Sequence, residues 1–276
     1  MKNSYLDELE ILHLKQNSPA IIFLHGGPGV FGYMEPLCRM LSPHCNAVTY
    51  NQRGSKQAPS IAIEIKDHLN DLENVVSRYT TDTQPILVGH SWGAMLAILF
   101  AGRFSSLIQK LVLIGCGPLT PIQNREFSEA LTSRFGKEKK YYDDLWSSVE
   151  EESNPAKQQE LANIYINKIV KFYQCDPNSA KDVPPLHWDY QASINTMNQM
   201  DDAISKSEYE KSLTQIGVPI SVIQGEGDPV APVSIFSLIK THQPTALTFE
   251  IKNAGHYPWA GASKEDFIQI LLQEIQ

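Results

Sequence analysis

An acyl-transfer enzyme built on serine needs a base, here histidine, and an acid that orients it, and this chain supplies serine, acid and histidine in that order. Ser91 stands in Gly89-His90-Ser91-Trp92-Gly93, between the apolar run Ile86-Leu87-Val88 and the helix-like run Ala94 to Phe100. G-x-S-x-G between a strand and a helix is a nucleophile elbow, a sharp turn that lifts the seryl hydroxyl clear of the sheet. Glycines flank such a serine because neighbouring backbone leaves no room for a Cβ atom. The five-residue pattern alone is common, and an ordinary tight turn holds a serine equally well. Its flanking elements and the residues downstream give it weight.

Asp228 lies in Gly225-Glu226-Gly227-Asp228-Pro229 and His256 in Asn253-Ala254-Gly255-His256-Tyr257-Pro258. Each follows an apolar run, which places both on loops at the carboxyl edge of a parallel sheet, where ligands bind in open α/β folds. Glu226 competes for the acid role. Asp228 is preferred because the extra loop residues let its carboxylate turn back toward the imidazole. Of the 8 histidines, only His242 also follows Asp228, in a linker beside Pro244. His13 and His44 read as surface residues, and His68 lies off the apolar stripe of its helix.

An oxyanion hole needs two backbone N–H groups aimed at the oxygen where charge develops. One follows the nucleophile, at Trp92. The other is expected at Gly27 in His25-Gly26-Gly27-Pro28-Gly29, where three glycines permit close approach and unusual dihedrals.

These groups need a scaffold. Ile21-Ile22-Phe23-Leu24, Ala47-Val48-Thr49-Tyr50, Ile86-Leu87-Val88, Leu111-Val112-Leu113-Ile114 and Ile220-Ser221-Val222-Ile223 read as strands covered on both faces. Residues 8–15 and Leu247 to Ile251 alternate more and suggest edge strands. Ile65, Leu69, Leu72, Val76 and Tyr79 form one stripe of an amphipathic helix. The run from Trp92 to Phe104 is apolar nearly all round, as a buried helix would be. Ser263 and Asp266 have the spacing of a capping box opening a last helix. Strands alternating with helices predict an α/β fold, a mostly parallel sheet with helices on both faces. The gap from the strand at Leu111 to that at Ile220 is far longer than any other. It predicts an inserted helical cap over 118–214, with 1–117 and 215–276 as the core, and no strand in the cap.

The chain has 276 residues, 42% of them hydrophobic, and a formal charge of −8. That excess of acid, with no long basic run, argues against nucleic acid and anionic membrane surfaces as partners. The 4 cysteines, Cys38, Cys45, Cys116 and Cys175, show no metal spacing and read as reduced thiols. Residues 1–8 have no signal-peptide core and no run is long enough to span a bilayer. A cytoplasmic protein is expected, with no metal and no cofactor; the oligomeric state is left open.

His25-Gly26-Gly27-Pro28-Gly29, Asn51-Gln52-Arg53-Gly54-Ser55 and Gly89-His90-Ser91-Trp92-Gly93 together resemble the proline iminopeptidase branch of the α/β-hydrolase superfamily. The resemblance covers the core, not the cap. It implies a Ser91-Asp228-His256 hydrolase, acting on a small molecule or short peptide without metal or cofactor. Two departures bear on substrate: the branch usually has Asp at Asn51 and Gly at Lys56. In that branch acidic cap residues hold the substrate amine. Glu150, Glu151, Glu152, Glu160, Asp201 and Asp202 are the candidates here, although a charge run is more often a solvated helix face.

The expectation is a serine hydrolase of esters or amides, with prolyl aminopeptidase first. Carboxylesterase and carbon–carbon bond hydrolase are the same-fold alternatives, and a ligand receptor without turnover is the non-enzyme one. A dehalogenase would need a carboxylate at Ser91. Trp146, Tyr165, Phe172, Trp188 and Tyr190 are expected to wall the pocket.

Overall fold

The computed structural model describes residues 9–14, 19–54 and 63–276. Ser55, Lys56 and the first eight residues lie outside them. Seven strands form the main sheet: β1 (Ile11–His13), β2 (Ala20–Leu24), β4 (Asn46–Tyr50), β5 (Ile86–His90), β6 (Lys110–Ile114), β8 (Ile220–Gly225) and β9 (Leu247–Ile251). Their order is β1-β4-β2-β5-β6-β8-β9. β1 is antiparallel to β4 and every other pairing is parallel.

Side chains along the central strands alternate between two cores. Ile22, Leu24, Leu87, Leu111, Leu113 and Val222 point to one face, against α2 (Ile65–Tyr79), α3 (Trp92–Phe104) and α9 (Pro232–His242). Ile21, Phe23, Val88, Val112, Ile114 and Ile223 point to the other, against α1 (Met34–Leu41) and α10 (Lys264–Glu274). A strand with apolar residues at both parities needs both faces covered, which explains the continuous runs. β9 is the exception: Leu247 is 51% exposed at the sheet edge. In α3 every residue from Trp92 to Ala101 is buried. Each large one contributes about 1.5–3 kcal/mol by leaving water.

α2 begins with a reciprocal pair of bonds between Glu64 and Asp67, a capping box made with a carboxylate. The box expected at Ser263 does not form. α10 is present, but Ser263 sits in helical geometry and its hydroxyl donates to the Pro258 carbonyl at 3.4 Å. His68 also differs from expectation. It is 2% exposed, since residues from α7 (Tyr190–Ser205) cover the flank of α2 that the stripe leaves bare.

Between β6 and β8 run α4 (Pro121–Phe135), α5 (Lys139–Glu151), α6 (Pro155–Ile169), α7 and α8 (Glu208–Gln215). α8 packs on α3, Tyr209 and Leu213 joining that core, so it belongs to the helical layer of the sheet. The segment also contains one short strand, contrary to expectation. β7 (His187–Trp188) pairs antiparallel with β3 (Val30–Phe31), which directly follows the glycine-rich loop. Among the described residues, no helix is long and apolar enough to cross a membrane. The four cysteines are free, with Cys175 exposed.

Candidate active site

Ser91 takes φ 55° and ψ −120°, between the end of β5 and the start of α3. A non-glycine residue there is strained by about 1–3 kcal/mol, and the surrounding structure has to over-determine it. It does so through close backbone approach. A Cβ on Gly89 would lie 2.3 Å from the Gly93 carbonyl oxygen, and one on Gly93 2.4 Å from that of Leu24. Ser91 N–H donates to the Ile114 carbonyl at 3.0 Å, which pins the turn to β6.

The structure brings Asp228 and His256 together: His256 Nδ1 is 2.8 Å from Asp228 Oδ2. A carboxylate accepts, so Nδ1 carries a proton, and in the neutral ring the free lone pair is on Nε2. Asp228 Oδ1 accepts the Val230 N–H at 2.9 Å, which fixes the rotamer. Glu226 points elsewhere, to Lys252 and the Asn253 N–H. Ser91 Oγ is not hydrogen-bonded to His256. Both residues line one cavity, and the hydroxyl turns about a single bond; catalytic contacts in unliganded enzymes commonly tighten only with substrate.

The N–H groups of Gly27 and Trp92 donate to no acceptor among the described residues. Gly27 has φ 43°, where a Cβ would meet Val30 Cγ2 at 2.8 Å. Both residues line the cavity beside Ser91.

Two tyrosine- and histidine-based supports had no sequence signal, because their partners are far apart in the chain. His90, fully buried, donates from Nε2 to the His256 carbonyl at 2.8 Å and accepts the Tyr33 hydroxyl at Nδ1, 2.7 Å away. Tyr33 in turn accepts the Gly26 N–H. One chain of bonds therefore joins the glycine-rich loop to the backbone of His256. Burial, then the neighbouring His256, holds the His90 pKa well below its ordinary value, so this ring stays neutral. His25 is also neutral, with burial lowering its pKa to about 4; its Nε2 accepts the Gln52 N–H at 2.9 Å. Gln52 accepts from Trp92 Nε1 at 2.9 Å.

The other support comes from the helical segment. The Tyr173 carbonyl accepts the His256 N–H at 2.8 Å. Arg134 of α4 donates to the Phe172 carbonyl at 2.8 Å and to that of Gly227 at 2.9 Å. A Cβ on Gly255 would fall 2.4 Å from both the Tyr173 oxygen and Gln174 Cα.

The cavity above Ser91 holds about 370 Å³. Of the five aromatics expected in its wall, Trp146, Tyr165 and Trp188 are there. Phe172 instead packs on Phe135 and Tyr142, and Tyr190 edge-on against Trp146 and Trp188. Of the six acidic candidates only Asp201 lines it, accepting from Asn124 at 3.2 Å. Glu152 and Asp202 pair with Lys157 and Lys206. No Lys or Arg lines the cavity among the described residues. Nor does any group of three or more His, Cys, Asp or Glu there have the arrangement of a metal site.

The alpha/beta hydrolase fold family matches residues 19–259. The chain belongs to this family. It is a hydrolase of that fold, and several relatives are similar over most of its length. The 2-(acetamidomethylene)succinate hydrolase of Mesorhizobium japonicum is 22% identical, with 88% of this chain and 83% of the relative covered. A proline iminopeptidase of Saccharolobus solfataricus is 23% identical, covering 96% and 87%. Among solved structures, an alpha/beta fold family hydrolase of Bacillus anthracis superposes with a TM-score of 0.67 at 15% identity, covering 97% of this chain and 94% of that one.

Proposed function

We propose that this hydrolase is a serine esterase acting on neutral, apolar substrates. His256 Nε2 takes the Ser91 proton as Oγ attacks the carbonyl carbon. Asp228 steadies the imidazolium, and the N–H groups of Gly27 and Trp92 hold the oxyanion. His256 then gives the proton to the leaving alcohol. Water, deprotonated by the same ring, releases the acid. The segment 118–207 acts as the cap that walls the substrate cavity over Ser91.

The observation that carries the reading is the strained backbone of Ser91, φ 55°, on a cavity shared with the Asp228-bonded His256. The cavity wall favours a neutral substrate. A diacid such as the succinate named for the Mesorhizobium relative would find no cationic partner among the described residues, and Asp201 would repel it.

The test is labelling with a fluorophosphonate probe, in wild type and Ser91→Ala. Labelling lost in the variant supports the reading, whereas no labelling of wild type, or equal labelling of both, rejects it.

A second reading, prolyl aminopeptidase, is favoured by the HGGPG loop and by Asp201 as a partner for a substrate amine. It expects turnover of a prolyl amide above that of a propionyl ester, lost in Asp201→Asn. Faster ester turnover, with no gain from a free amine, excludes it.

A further inference from the structure

The geometry points to a substrate with two unequal arms, one of them limited to about three heavy atoms. This rests on the serine-esterase reading above. Ser91 and His256 line two cavities, the one of about 370 Å³ already described and a second of about 70 Å³. Gly27, Val30, Ile166 and Tyr173 line both, forming the neck in which the reacting carbonyl sits. Gly26, Tyr33, Val170, Leu186 and Tyr257 close the smaller one. A cavity of about 150 Å³ accommodates one benzene ring, so the smaller space takes about three heavy atoms and the larger about fifteen.

The smaller compartment has walls that do not readily move. Tyr33 is 1% exposed and holds both the Gly26 N–H and His90. Leu186 is buried, and Asn167 bonds both its N–H and its carbonyl, at 2.9 and 2.7 Å. The Tyr257 N–H is held by Gln174 at 3.2 Å. The Tyr33 hydroxyl donates to His90 and accepts from Gly26, so it has no proton left for a polar arm. The short arm is therefore a small group and the long arm an extended apolar one, against Trp146, Trp188 and Met197.

The experiment is a pair of ester series on the intact chain: acetates of lengthening alcohols, and methyl esters of lengthening acids. We expect kcat/KM to rise with length in one series. In the other it falls by about tenfold or more per added methylene once the arm exceeds about three heavy atoms. Val170→Ala, at a half-buried position, and Leu186→Ala widen only the small compartment and move that limit outward by about one carbon. Val170→Phe moves it inward. The proposal is overturned if both series rise together, if both stop at the same short length, or if folded Val170→Ala leaves the limit where it was. Ser91 that fails to label and turns over no ester overturns the esterase reading and this proposal with it. Labelling with symmetric chain-length dependence overturns this proposal alone.

Discussion

Ser91, Asp228 and Glu226 separate chemistry from local charge most sharply. Asp228 bonds the imidazole at 2.8 Å, while Glu226, two residues earlier, is paired with Lys252 at the surface. Asp228→Asn is expected to lower kcat by about three to four orders of magnitude, because the ring is left in the wrong tautomer. Glu226→Gln is expected to stay within about twofold, since an exposed ion pair contributes little. Steady-state kinetics on one ester checks both, and a large loss confined to Glu226→Gln would return the acid role to Glu226. Ser91, Asp228 and His256 were legible because each follows an apolar run, where topology alone brings distant loops to one rim. His90 and Tyr33 were not, as their contact spans 57 positions and follows no period. Nor was the burial of His68, whose cover comes from α7.

Among the elements, the elbow and the short helical strap behind His256, residues 170–174, are the parts under strain or close approach. Gly93→Ala would set a methyl group 2.4 Å from the Leu24 carbonyl oxygen. We expect loss of turnover together with about 2 kcal/mol or more of stability, read by urea unfolding. Arg134→Met removes two charge-assisted bonds to carbonyls, one in the strap and one beside Asp228. It should cost about 1–3 kcal/mol and lower kcat more than it raises KM. Unchanged kcat with lowered stability would make Arg134 a purely structural brace. The sheet was largely readable from sequence, since strands covered on both faces show as continuous apolar runs. β3 and β7 were not, because two residues carry no periodicity. α8 was assigned to the insertion because spacing between strands says nothing about which layer a helix joins.

Over the whole molecule, buried neutral histidines set the response to acid. Burial lowers the pKa of His25 to about 4 and, aided by Arg53, that of His68 to about 3. In the unfolded chain both titrate near 6.5. Below that value the unfolded state binds more protons than the folded one, so stability falls as pH drops. Each ring removes about 1.4 kcal/mol per pH unit between 6.5 and its folded value. Urea midpoints should decline from pH 6.5 to pH 4, and His68→Gln should flatten that slope. A slope identical to wild type would show that His68 is not a proton-linked site.

The strap Val170–Gln174 belongs to the helical segment in sequence yet bears directly on the acid–base pair: it receives the His256 N–H and fits against Gly255. In this chain, therefore, exchanging the whole of 118–207 would also exchange a support of His256. A chimaera that exchanges α4 to α7 but leaves those five residues in place retains the shelf on which the imidazole rests, and one that exchanges them too begins with its base adrift.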